Sequence, residues 1–238
     1  MTSSVQGGEH PFRHIAIIPD GNRRWARARN LEPWEGHEEG AKNTEALIRE
    51  ARRLGIREVS IWGSSMENMS KRPLREKQEL LRIWQTYFTS LLSAPEIHAD
   101  RCRVRIIGHW REQFPASLIE LLSKLEDATA DYDQSFLNFF LAYSGDDDML
   151  HAVQALWSED ALPESVATIK SRLSTAELPP VDLLIRTGGE PHLSAGFLML
   201  ECANSQLAFP TVMYPDFGVA AFGEVLDEVA GRERRLGK

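Results

Sequence analysis

The stretch HIAIIPDGNRRWAR, His14 to Arg27, sets an apolar run directly against one acid and then a basic turn containing glycine. A strand that stops at Ile18 and hands over through Pro19-Asp20-Gly21-Asn22 to Arg23, Arg24 and Arg27 has the form of a βα unit. Similar apolar, often β-branched runs recur at 59–62 (VSIW), 104–107 (VRII), 136–142 (FLNFFLA) and 181–185 (VDLLI). Between the first two, Leu47, Ile48, Ala51 and Leu54 form a stripe at helical spacing, closed by Gly55. This alternation predicts an α/β fold around a mostly parallel sheet covered on both faces. Residues 1–13 are expected to be a flexible N-terminus and 14–238 one domain, with no repeat, low-complexity tract or linker.

Composition narrows the classes further. A chain of 238 residues with 42% hydrophobic content is long enough for one sizeable core. Its net charge of −8 argues against a nucleic-acid partner, since phosphate-backbone binding leaves a basic excess. Cys102 and Cys202 are far apart and show no zinc-like spacing, which fits a reducing cytoplasm. No window approaches the roughly 18 apolar residues that span a bilayer, and MTSSVQGGEHPF lacks the apolar core of a signal peptide. A cytoplasmic protein without a transmembrane segment is expected.

Three loops carry the chemistry. In the opening stretch, Gly21, Asn22 and Arg23 can begin a helix whose free N–H groups and dipole favour a phosphate, and Arg24 can add a bidentate clamp. Asp20 repels a phosphate unless a divalent cation such as Mg²⁺ stands between them. The plainer alternative makes Asp20 an N-cap and the arginines a solvated face. DLLIRTGGEPHLS, Asp182 to Ser194, repeats the design with Arg186, two glycines and Ser194, against the alternative of a simple turn. WGSSMENMSKRP, Trp62 to Pro73, brings Ser64, Ser65, Glu67 and Asn68 to the end of the second strand and reads equally as a capping loop. From Leu74 to Leu92 the residues Leu80, Leu81, Ile83, Trp84, Tyr87, Phe88, Leu91 and Leu92 cover more than one helix face, as befits a thick core or an apolar cavity. Trp34 and Trp62 read as core or pocket wall, and His10, His14, His98, His109 and His151 as structural or solvated.

In order and spacing these stretches resemble the cis-prenyltransferases, the undecaprenyl diphosphate synthase family. The resemblance rests on DGNRRWA at 20–26, GHEEG at 36–40, SMEN at 65–68 with RP at 72–73, RTGGEPHLS at 186–194 and YPDF at 214–217. It runs over nearly the whole chain, and several motifs in register are far more specific than any one of them. It implies a single domain built on a six-stranded sheet flanked by helices, a homodimer, and Mg²⁺-dependent joining of prenyl diphosphates such as dimethylallyl, geranyl or isopentenyl diphosphate. Carried over by position, Asp20 is the metal ligand and a catalytic residue. Gly21, Asn22, Arg23, Arg24 and His37 surround the allylic diphosphate, while Arg186, His192 and Ser194 serve the second substrate. Ser65 and Asn68 fall near the reacting carbons, Arg72, which opens the apolar helix, is expected among the substrate-binding residues, and Arg235 with Gly237 matches a C-terminal motif that reaches a phosphate across the dimer.

The departures cluster at the substrate sites. Pro33 stands where the family carries an arginine on the allylic diphosphate, and His192 stands for an arginine at the second site. Gln206 stands for a metal-linked glutamate and Met69 for the loop tryptophan, and single-residue insertions precede Arg72 and fall within 194–197. Random decay would not spare Asp20, Asn22, Arg24, His37, Asn68, Arg186 and Ser194 while altering their neighbours. Specialisation toward irregular, lavandulyl-type chemistry explains the pattern: two allylic diphosphates join head to middle into a short branched product, with Ser65 and Asn68 as a proton relay. A regular short-chain cis synthase using isopentenyl diphosphate stays open. So do a transferase with a non-prenyl acceptor and a non-catalytic partner subunit.

Overall fold

The computed structural model describes residues 10–232. The N-terminal segment 1–9 lies outside the described residues, as do Arg235 and Gly237. Six parallel strands form one sheet: β1 (His14–Ile18), β2 (Glu58–Trp62), β3 (Cys102–Ile107), β4 (Ser135–Phe140), β5 (Leu183–Arg186) and β6 (Gln206–Ala208). They lie in the order β3-β4-β2-β1-β5-β6. The run at 14–18 is buried at every position, because helices or loops cover both sheet faces, and its one polar residue, His14, is satisfied by the Pro179 carbonyl and Ser60 Oγ.

Alternate residues separate the two faces. Ile15, Ile17, Val59, Ile61, Val104, Ile106, Leu183 and Ile185 belong to the larger core. That core is completed by α2 (Pro33–Arg53), α4 (Leu74–Leu92), α7 (Ala116–Thr129) and α10 (Val219–Ala230). From α4 it takes Leu80, Trp84, Phe88 and Leu91, each contributing about 2 kcal/mol by burial. Ala16, Ile18, Trp62, Phe140 and Leu184 face a smaller core with Leu178, Val181, Phe197 and Leu198. Cys102 and Cys202 are buried and free.

One expectation is corrected. The flexible segment does not extend to residue 13: Phe12 is 2% exposed in the larger core, and the Arg13 N–H donates to Asp182 Oδ2 at 2.7 Å. An apolar ring with a place in the core holds its own chain end down. The sheet has the six strands expected; the sixth, Gln206–Ala208, lies outside the apolar runs because it is an edge strand of three residues and needs no long apolar signal.

Candidate active site

The carboxyl ends of β1, β2, β4 and β5 open on a cavity of about 470 Å³, within the range of small-molecule sites. Its wall is divided. The polar part comprises Asp20, Asn22, Arg23, Arg24, Arg27, His37, Asn68, Arg72, Arg186 and Ser194. The apolar part comprises Ile61, Trp62, Leu80, Ile83, Trp84, Tyr87, Phe88, Phe139 and Leu141.

Register brings the loops after β1 and β5 together. Ile18 of β1 pairs with Arg186 of β5, so the residue two beyond Ile18 meets the end of β5 although 166 residues separate them. Arg186 donates to Asp20 Oδ2 through Nη2 at 2.8 Å and Nε at 3.3 Å, and through Nη1 to the His192 carbonyl at 2.8 Å. Arg24 binds Asp20 Oδ1 at 3.2 Å and Glu190 at 3.3 Å. Thr187, fully buried, accepts the Asp20 N–H at 2.9 Å and donates to the Asp20 carbonyl at 2.7 Å, which locks the loop's backbone.

Gly21 (φ +104°) precedes α1 (Asn22–Ala28). Asn22 Nδ2 donates to the Pro19 carbonyl, leaving Oδ1 buried without a partner. The GHEEG motif is a packing device. A Cβ at Gly36 would stand 2.1 Å from the Asn22 carbonyl oxygen, and one at Gly40 would stand 2.5 Å from Asn22 Oδ1. Glycine at position 36 lets the α2 backbone lie this close to α1 and bring His37 to the cavity, and glycine at position 40 leaves the Asn22 side chain its place. Asn43 holds the far side by donating to the Tyr214 and Phe217 carbonyls, which anchors the YPDF turn.

His37 meets Arg72 across 3.0 Å from Nε2 to Nη1. Arg72 in turn binds Glu76 at 2.8 Å, and Arg23 approaches the same Glu76 oxygen at 3.5 Å. Desolvation, with the charges of Arg72 and Arg23 added, pulls the His37 pKa down to about 3, so the ring is a neutral hydrogen-bonding group at physiological pH. Glu76, 4% exposed, pairs with two arginines of the cavity wall and is the member of this network that sequence reasoning missed. Its one signal was an acid within the apolar helix, four residues after Arg72.

Other expected residues stand elsewhere. Ser65 Oγ accepts the Asn68 N–H at 2.9 Å and caps α3 (Met66–Lys71), off the cavity wall. Ser65 thus caps α3 through its oxygen, while Asn68 itself lines the cavity. The His192 ring is exposed and only its backbone carbonyl takes part, because Arg186 claims that oxygen. Pro33 starts α2, where Glu32 and Glu35 form a capping box. Gln206 donates its N–H to the Asp182 carbonyl at the amino end of β5, away from the strand ends that hold Asp20. Met69 is 1% exposed in the core.

Asp20 is the one carboxylate among the described residues that line the cavity. A lone carboxylate among guanidiniums is a poor cage for a bare cation. It fits Mg²⁺, which takes one or two protein carboxylates and completes its shell with substrate phosphate and water. A guanidinium-rich mouth with a single carboxylate, set against an apolar wall at parallel strand ends, defines an enzyme site for a diphosphate with a hydrocarbon tail.

The chain belongs to the undecaprenyl diphosphate synthase family, whose model, described as putative undecaprenyl diphosphate synthase, matches residues 18–237. It is a prenyltransferase with cis-prenyl diphosphate synthase relatives. One, from Pyrococcus furiosus, is a tritrans,polycis-undecaprenyl-diphosphate synthase (geranylgeranyl-diphosphate specific), 33% identical over 100% of this chain and 91% of its own length. An isoprenyl transferase from Thermus thermophilus is 35% identical over 100% of this chain and 93% of its own. Among solved structures, lavandulyl diphosphate synthase from Lavandula x intermedia in complex with dimethylallyl diphosphate superposes with a TM-score of 0.87 at 29% identity, covering 95% of this chain and 98% of that one. Among the described residues no helix is long and apolar enough to cross a membrane.

Proposed function

We propose that the protein joins two short allylic diphosphates, dimethylallyl with dimethylallyl or geranyl diphosphate, head to middle into a branched lavandulyl-type C10 to C15 diphosphate, with release of diphosphate. The observation that carries this reading is the second-substrate clamp: Arg186 and Ser194 face the cavity, but the residue in the family's second arginine position, His192, keeps its ring outside it. A synthase that repeatedly adds isopentenyl diphosphate has a use for the full clamp. One that takes a second allylic diphosphate can dispense with part of it. The likeness to lavandulyl diphosphate synthase supports the same direction.

Arg23, Arg24 and the first turn of α1 hold the allylic diphosphate, with Asn22 and His37 as neutral polar groups beside it. Asp20 would hold Mg²⁺, which when bound supplies positive charge to the departing diphosphate. The allylic C–O bond breaks with its electron pair leaving on the diphosphate. The acceptor's double bond then attacks the cation, one C–C bond forms, and the resulting cation loses a proton. Trp62, Trp84, Phe88 and Phe139 keep water from the cation. With Asp20 as the lining carboxylate and Ser65 spent on its helix, the released diphosphate is the strongest base at hand, and Asn68 orients the acceptor beside it. Arg235 and Gly237 belong to this proposal as phosphate contacts across a homodimer, and cytoplasmic location goes with it.

The sequence relatives favour a second reading, a regular cis synthase using isopentenyl diphosphate. Incubation with Mg²⁺ and either dimethylallyl plus geranyl or isopentenyl plus geranyl diphosphate separates the two. A branched product from the allylic pair is expected; turnover with the isopentenyl pair alone replaces the first reading by the second.

A further inference from the structure

Beyond the cavity, at the β3 edge of the sheet, His109, Asp147 and His151 converge, with one ligand atom from each within 4.8 Å of the others. Asp147 Oδ2 stands 2.6 Å from His109 Nε2 and 3.6 Å from His151 Nδ1, and the two ring centroids are 5.4 Å apart.

Backbone geometry builds this cluster from two elements. Gly108 has φ +122°, and a Cβ there would lie 2.2 Å from the Leu141 carbonyl oxygen, so only glycine lets the end of β3 tuck against the chain leaving β4. The His109 N–H then donates to the Ala142 carbonyl at 3.1 Å, which fixes the residue. On the other side, Ser144 caps α8 (Gly145–Ser158) by accepting the Asp147 N–H. Asp147 and His151 follow one turn apart on a single helix face. Glu112 Oε2 lies 3.9 Å from His109 Nδ1, on the side of the ring away from Asp147, too far for a hydrogen bond but near enough to add negative charge beside the cluster. Among the described residues no lysine or arginine pairs with Asp147, in contrast to Asp20.

We propose that His109 Nε2, His151 Nδ1 and Asp147 Oδ2 bind a divalent transition cation of the Zn²⁺ class, at a site separate from the diphosphate cavity. Two imidazoles and one carboxylate favour Zn²⁺, Co²⁺ or Ni²⁺ over Mg²⁺, which takes oxygen donors. Tetrahedral bonds of about 2.0–2.1 Å place neighbouring ligand atoms about 3.3 Å apart. The distances of 2.6 and 3.6 Å from Asp147 bracket that value, and the two imidazole nitrogens lie within 4.8 Å of each other, so binding requires the rings to turn toward a shared centre. Three protein ligands leave a position for water, and the His151 side chain is 54% exposed toward it. The bound cation ties the turn after β3 to the helix after β4. Because that geometry exists only in the folded chain, the cation raises the melting temperature.

The test uses the untagged full chain, stripped with chelator and titrated with Co²⁺ and then Zn²⁺ in millimolar Mg²⁺, with visible absorption, calorimetry and melting as readouts. Expected are one Co²⁺ per chain with a d–d band, its displacement by Zn²⁺, and a higher melting temperature with Zn²⁺. His109→Ala and His151→Gln should each weaken Zn²⁺ binding at least about tenfold and remove the thermal shift. Far-ultraviolet circular dichroism of the metal-free variants verifies that they are folded. Absence of a band in the wild type, or unchanged Zn²⁺ affinity in the folded His151→Gln chain, overturns the proposal.

Discussion

Asp20 and Asp147 both follow parallel strands, β1 and β4, at the same end of one sheet, yet they keep opposite company. Asp20 is held by Arg24 and Arg186 and has Arg23, His37 and Arg72 around the same cavity. Asp147 stands between two imidazoles and caps no guanidinium. The topological position is equivalent, so the neighbours decide what each carboxylate is for. Guanidiniums bring an anion with its hard cation, whereas imidazoles compete for the cation themselves.

The strongest way to break this contrast is Asp20→Ala. Diphosphate release with Mg²⁺ and allylic substrates should fall about 10³-fold, the scale of losing a principal electrostatic contact to the leaving group. An unimpaired rate would remove Asp20 from the reaction. Next comes Glu76→Gln, which leaves Arg72 buried beside Arg23 without its counter-ion. Breaking such a pair costs about 3 kcal/mol, to be read by urea unfolding, and the disturbed Arg72–His37 contact should raise KM for the allylic substrate. A neutral result on both would make Glu76 a bystander.

The smallest effect is the one set by pH. His37 is neutral in the fold down to about pH 3, while an unfolded histidine takes a proton near 6.5. The unfolded chain therefore binds more protons between those values, and stability falls as pH drops through that window. His14, lowered chiefly by burial, acts in the same direction. The melting temperature should decline from pH 7 to pH 5, and His37→Gln should shrink the decline. An equal decline in the variant would assign the effect to other groups.

How much was legible follows from how local each signal is. IAII, VSIW and VRII announce strands because a doubly covered parallel strand has no polar side. The helix at 74–92 and the stop at Gly55 were equally plain from spacing. Asp20, Arg24 and Arg186 were legible because strand–turn–helix and strand–turn patterns mark loops at the ligand end of a sheet. Glu76 was hidden because a single acid in a helix usually faces water, and only packing shows it 4% exposed beneath Arg72. The cap made by Ser65 was hidden for the converse reason: a hydroxyl four residues into a polar loop serves a helix cap as well as a reaction, and only the folded loop shows the cap.

By itself, then, the order of residues determined the parallel α/β class, the two arginine- and glycine-bearing loops at the strand ends and the family, since these rest on periodicity and on motifs complete within a few residues. Only the tertiary structure decided which groups share a site. Register set Asp20 against Arg186, and Gly36 set His37 against the cavity. Arg186 took the His192 carbonyl and left its ring outside, and Gly108 turned His109 toward α8. Each of these depends on distances between segments far apart in the chain, and no local pattern encodes such a distance.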